Sequence, residues 1–197
     1  QVFRLMTPYY LGASAANFSE RGGVINIAIE GFMALSAFSF AMFCIITHNV
    51  TLSVFLAIII NLVFALLYSL FTVKLKINQI VTGVGFNILI AGLTKFLMMI
   101  IFHSSSNTER FEGIPDNAFI AQIPIIGGIL SDYIVLFAII LIFLSNFVLF
   151  KTTFGLRLRS VGENPEAAES LGIKVRHYKI YGILISGFLA SLAGIWL

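Results

Sequence analysis

Charge is what this sequence has least of. Its 197 residues include only 12 Lys and Arg and 9 Asp and Glu, 11% of the chain, where a soluble domain carries about 25%. So few ionic groups cannot cover a surface in water, which excludes a soluble fold. Disorder is excluded by the same shortage together with 20 Phe. Cysteine is nearly absent: the single Cys44 lies in an apolar run, cannot form an internal disulfide and belongs to no metal-ligating spacing, leaving packing in the core or against lipid. There is no G-x-x-x-x-G-K-[ST] stretch, so the chain has no phosphate-cradling loop of its own. No segment repeats with a period of about 20–50 residues, which excludes solenoids. His48, His103 and His177 show neither metal spacing nor a nucleophile beside them, which argues against an embedded enzyme.

What is present is apolar sequence: 59% hydrophobic residues and a mean hydropathy of +1.00. The fold class is therefore all-α, a polytopic bundle of transmembrane helices, with about five to six spans in one domain, residues 1–197, in contact with lipid. Between Glu30 and Lys74 lie 43 residues without Asp, Glu, Lys or Arg, about twice the ~20 needed to cross a hydrocarbon core. A break at "THNVT" divides them into helices over 32–47 and 52–73 joined by a very short turn. A third span runs over 79–102, with Lys95 near enough to its end to reach water. A fourth covers 133–150 and a fifth begins at 178. Residues 5–17 are short for a crossing and read as the tail of a further helix or as a half-helix. The chain opens on Gln1 and closes on Leu197 inside an apolar segment, as a piece of a longer protein would.

Basic residues in short loops stay on the cytoplasmic side. Residues 151–179 hold six of the twelve Lys and Arg and are therefore inside. Residues 103–131, with Arg110 against Glu109, Glu112 and Asp116, then fall outside, and Lys74 and Lys76 inside. A net charge of +3 distributed in this way marks topology and gives no reason to expect nucleic acid.

Within the cytoplasmic loop, "SVGENPEAAESLGIKV" specifies a two-turn helix. Asn164 stands at the N-cap, Pro165 at the first helical position, Glu166 in the first turn and Gly172 just past the end. So short a helix is marginal alone and needs something to pack against. Ala167, Ala168 and Leu171 form a small apolar face, with Glu163, Glu166 and Glu169 on the polar one. Three acids and no base make it a poor ligand for an anionic leaflet, which favours a protein partner.

Here the residues resemble a known family. "KTTFGLRLRSVGENPEAAESLGIKVRHYKIYGILISGFLASLAG", "RGGVINIAIEGFMALSAF" and "NQIVTGVGFNILIAGL" are similar to stretches of the permease subunits of ABC importers, in the branch that serves nucleosides and simple sugars. The resemblance implies that residues 163–172 are a coupling helix seated on a cytoplasmic ATPase, that ATP and Mg²⁺ are bound on that partner, and that this chain performs no covalent chemistry. It further implies a second permease, identical or, as is common in this branch, a paralogue, a soluble or lipid-anchored extracytoplasmic substrate-binding protein and a place in the bacterial inner membrane. Family members are longer, and Ala28 stands where their signature has Gly. The competing reading is a secondary transporter or channel for a small polar solute that needs no ATPase.

Two further patterns bear on function. Gly182, Ser186, Ala190 and Gly194 recur every four residues, with Gly187 and Ser191 alongside, a face on which helices approach closely in lipid, either within the chain or against a second permease. Glu30 is a carboxylate beside a span and needs an explanation. Gly22 and Gly23 can break a helix ahead of it, as tolerated where backbone lines a cavity or is buried in protein. Asn26 lies four positions before Glu30 and shares its face if the stretch is helical. Asn26 and Glu30 either line the translocation path or act structurally, with Glu30 paired to Arg21 or capping a half-helix. Asn87, mid-span, either meets substrate or bonds a neighbouring helix. The aromatic residues are expected mostly against lipid.

Overall fold

The computed structural model describes residues 2–102 and 133–197, with side chains from 5–102 and 137–197. The described residues form eight α-helices: α1 Val2–Arg21, α2 Ile29–Thr47, α3 Val50–Ser69, α4 Gln79–Phe102, α5 Tyr133–Lys151, α6 Thr153–Glu163, α7 Pro165–Ser170 and α8 Val175–Trp196. The expected outer loop, 103–131, lies outside the described residues.

The α2–α3 hairpin turns at His48 and Asn49, where the expected break falls. His48 takes the left-handed conformation (φ 50°) and the Asn49 side chain accepts from the Leu52 N–H at 3.3 Å. α3 then widens into a π-turn over Leu70–Lys74 before Lys76 (φ 55°) reverses the chain toward α4. The third span matches the expected limits. Among the described residues four helices are long and apolar enough to cross a membrane, and five if α5 and α6 are counted as one broken span.

Of the two readings of residues 5–17, the structure favours part of a further helix over a half-helix. These residues lie inside the 20-residue α1, about 30 Å long, which runs antiparallel to α8: a Cβ on Gly182 would lie 3.0 Å from the Phe18 carbonyl, while Gly12 and Leu197 share a groove at the far end. Thr7, Asn17 and Ser19 make α1 look too polar to cross lipid, but Leu11, Ala15 and Phe18 are buried and protein rather than lipid is its main neighbour. Within the loop expected over residues 151–179, residues 153–163 form the helix α6. α6 buries Gly155, Leu158 and Val161 on one face and is bent 71° from α5. Thr152 makes that corner by capping the Gly155 N–H at 3.2 Å, and Gly155 lies so close under the Val148 and Leu149 carbonyls that a Cβ would overlap them.

α8 is the centre of the bundle, packed by α1, α2 and α3. Its small residues Gly182, Ser186, Gly187, Ala190, Ser191 and Gly194 are all buried, so that stripe is an internal seam. Ser36 of α2 meets it through its hydroxyl, 2.9 Å from the Ser191 carbonyl and 2.8 Å from the Ser191 hydroxyl. Cys44 is buried with Phe40, Ala57 and Ile195 in a small outer cluster.

Candidate functional site

Between α1 and α2 the chain makes an elbow with no helical hydrogen bonds of its own over residues 24–28. α1 ends because Gly23 adopts φ 75°, which lets the Val24 N–H turn back to the Ser19 carbonyl at 3.0 Å. Freed backbone at membrane depth must find partners within the protein, and three helices supply them. From α4, Gln79 Oε1 accepts from the Ile25 N–H at 2.7 Å, and Asn87 donates to the Ile27 carbonyl at 3.0 Å while accepting from the Gly31 N–H at 2.9 Å. From α3, the Tyr68 hydroxyl donates to the Ile25 carbonyl at 3.0 Å. From α8, Ser186 accepts from Asn26 Nδ2 at 3.0 Å, and Asn26 Oδ1 accepts from the Ala28 N–H at 3.1 Å.

Asn26 and Asn87 therefore use both ends of their amides within the chain. Asn87 makes the neighbour bond that sequence allows. The shared face of Asn26 and Glu30 is not formed, because helix begins only at Ile29: Asn26 is buried toward α8, whereas Glu30 is exposed. Nor does Glu30 pair with Arg21, whose guanidinium lies over the Phe150 ring at 5.9 Å. No side chain caps α2. Glu30 instead borders a groove of about 470 Å³ with Tyr9, Gly12, Ala13, Met33 and Ala34. Its neighbour Gly31 is level with Asn87, eight residues into α4 and so about 12 Å from that helix's cytoplasmic start.

Beneath the elbow, Phe32, Tyr68 and Phe86 pack edge to face with centroids 5.4–6.5 Å apart. These rings are an inner exception to the expected outward-facing aromatics, of which Tyr9, Phe55, Phe96 and Phe143 are examples, each more than half exposed. Sequence reading also missed Asn61, whose signal is an amide in the middle of the apolar α3. It is fully buried, donates to the Phe32 and Gly187 carbonyls at 3.1 and 3.3 Å, and its Oδ1 has no partner among the described residues.

The short helix α7 is capped as its residues demand. Asn164 accepts from the Ala167 N–H at 3.0 Å, Pro165 opens the helix, and Gly172 leaves it at φ 78°. Its expected apolar face is divided. Ala168 is 2% exposed and turned into the chain, while Leu171 is 79% exposed and Ala167 is also open, beside the exposed Glu163, Glu166 and Glu169. α7 continues from α6, and α6 touches the elbow through main chain: a Cβ on Gly23 would lie 3.0 Å from Gly162 Cα, and a Cβ on Gly162 would overlap the Arg21 carbonyl. Leu158 fills the space beside Gly22 and Gly182. Two cations anchor α6 from outside, Arg159 over Phe150 at 4.9 Å and Arg157 bonded to the Tyr178 hydroxyl at 3.3 Å; the latter bond raises the Arg157 pKa.

Among the described residues no group of His, Cys, Asp and Glu is placed to hold a metal ion. The arrangement is a helical, multi-pass membrane protein in which the elbow between α1 and α2 is linked by main-chain contact to α6, from which the small helix α7 continues. The chain belongs to the family described as branched-chain amino acid transport system / permease component, whose model matches residues 1–197. It is 37% identical to the nucleoside ABC transporter permease protein NupC of Lactococcus lactis, over 95% of this chain and 62% of that protein. It is 36% identical to the guanosine ABC transporter permease protein NupQ of Bacillus subtilis, with the same two coverages. A putative glucose ABC transporter permease protein of Haloferax volcanii, TsgC13, is 30% identical over 89% of this chain and 54% of its own length. The chain thus spans less than two thirds of each of these relatives. No solved structure matches it.

Proposed function

We propose that this chain is the membrane-spanning subunit of an ATP-driven ABC importer in the bacterial inner membrane that carries nucleosides or related sugar-containing solutes. It works without covalent chemistry of its own. ATP and Mg²⁺ belong to cytoplasmic ATPase subunits, a second and paralogous permease completes the pathway, and an extracytoplasmic binding lipoprotein delivers the solute. The observation that carries the reading is α7: a fully capped helix whose Leu171 stays 79% exposed. With Ala167 open beside it and too few turns to be stable alone, this helix gains its order by packing on a partner.

The α6–elbow contact supplies the mechanism. ATPase closure displaces α7, α6 moves with it, and the Gly162 main chain bears on Arg21 and Gly23. The elbow then shifts the start of α2, and with it Glu30, relative to α4. Asn26, Asn87 and Gln79 act as the hydrogen bonds that hold one of the two positions, and Glu30 faces the path.

The test is uptake of labelled guanosine into vesicles holding the complete complex, with a cysteine at Leu171 for crosslinking. ATP-dependent uptake and a crosslink from position 171 to the ATPase are expected. Uptake that follows an ion gradient without ATP, and no ATPase product at position 171, would replace this reading with that of a secondary transporter or channel.

A further inference from the structure

The groove beside Glu30 has a composition that its structural neighbours do not require. Its floor is made of small residues, Gly12, Ala13 and Ala34; Tyr9, 78% exposed, gives an aromatic wall; Met33 closes one side; and Glu30 carries the only side-chain carboxylate in the lining. A carboxylate near the middle of a membrane is costly unless it faces water or a polar ligand, and this one is engaged by neither Arg21 nor the elbow amides. The about 470 Å³ of space is of the size that small-molecule sites occupy.

The chemistry of the lining narrows what fits. An ionised carboxylate only accepts hydrogen bonds, and its two oxygens suit a pair of adjacent donors. An aromatic wall over an alanine and glycine floor suits a flat ring that lies close to the helix surface. We propose that the α1–α2 groove is a solute subsite in which Glu30 receives two neighbouring donors of a purine nucleoside while its base lies between Tyr9 and the floor formed by Gly12 and Ala13. The paired donors come from one of two sources on the same molecule, the ribose 2′,3′-diol or the N1–H and 2-amino edge of a guanine. This inference rests on the proposed transport function for its choice of ligand, but its test does not depend on uptake.

The experiment uses the complete permease–ATPase complex, purified without the binding protein, with Ala34→Cys introduced beside Cys44→Ser. Position 34 is exposed in the groove, so the rate of maleimide labelling reports occupancy. Guanosine is expected to slow labelling. Inosine lacks the 2-amino donor and 2′,3′-dideoxyguanosine lacks the diol, and one of them should need at least about tenfold more for half-protection, as losing a hydrogen bond to a charged group implies. Whichever fails identifies the source. Glu30→Gln, which cannot accept two donors in this way, should reduce guanosine to the level of the weaker analogue, and Glu30→Asp should keep the order of the three compounds.

No slowing by guanosine overturns the subsite, as does equal protection by all three compounds or undiminished protection of the Glu30→Gln complex. Protection without ATP-driven uptake would leave the subsite standing and remove the importer reading. Uptake without protection would do the reverse.

Discussion

α8 and α4 both cross the bilayer, yet they are built on opposite rules. Over its most apolar 18 residues α8 is 56% buried and α4 11%, and the more buried helix is the less apolar of the two. Lipid is as apolar as leucine, so hydropathy is needed where a helix meets lipid, and an inner helix is free to use residues that pack or hydrogen-bond. Glycine shows the difference most plainly. Gly187 and Gly194 of α8 are pressed against Ala65 and the Met33 carbonyl, whereas Gly85 and Gly92 of α4 have nothing within 4 Å of where a Cβ would stand. In this protein burial, and not residue type, decides what a glycine is for.

The contrast is easiest to break with one substitution made in both helices. Gly194→Leu should abolish the folded, monodisperse protein, since even modest overpacking costs about 1–3 kcal/mol and here the obstacle is main chain. Gly92→Leu should leave the melting temperature in detergent nearly unchanged, within about 0.5 kcal/mol. If Gly92→Leu proved as damaging, the open face of α4 would be covered by a partner in the complex.

Next in size is Asn61, which sits in α3 against α8. Asn61→Leu removes two hydrogen bonds to carbonyls and also an orphaned Oδ1, for a loss of about 1 kcal/mol, near the average for polar contacts inside membrane proteins. Asn61→Asp places a carboxyl in the same closed space and should lower the melting temperature distinctly more. Equal losses would mean that water reaches Oδ1.

A smaller structural effect with a larger functional one is expected at Gly162. Gly162→Ala wedges α6 off the Arg21 carbonyl, so uptake per ATP hydrolysed should fall severalfold while the amount of folded complex stays close to normal. Unchanged stoichiometry would remove the elbow from the coupling route. Ser36→Ala, which removes hydroxyl bonds from the same inner seam, completes the series with a loss under about 1 kcal/mol.

Legibility in the sequence followed the same division. The α2–α3 turn, the limits of α4 and the caps of α7 were readable because each is set by local chemistry: Asn49 and Asn164 as caps, Pro165 at the first helical position, Lys76 before α4. α1 was legible as part of a further helix, but its run on through Ser19 to Arg21 was not, because polar and charged residues end the apolar stretch at Asn17. α6 was missed because its apolar face is only Gly155, Leu158 and Val161 among Arg157, Arg159 and Ser160, too short a pattern to stand out from a basic loop. The division of Ala167 from Ala168 depends on which side of a two-turn helix meets α6 and α8, which composition does not record. Asn26 and Glu30 parted because the helix joining them starts three residues later than a continuous reading requires.

The meeting of α6 with the elbow is glycine against backbone. Such a joint has no rotamers to slacken and no ion pair for electrolyte to screen. If the proposed ATPase drives α7, a stroke passed through this joint should therefore arrive with the same reach in dilute buffer and in brine, leaving ionic strength to act only at the proposed contact between α7 and the ATPase.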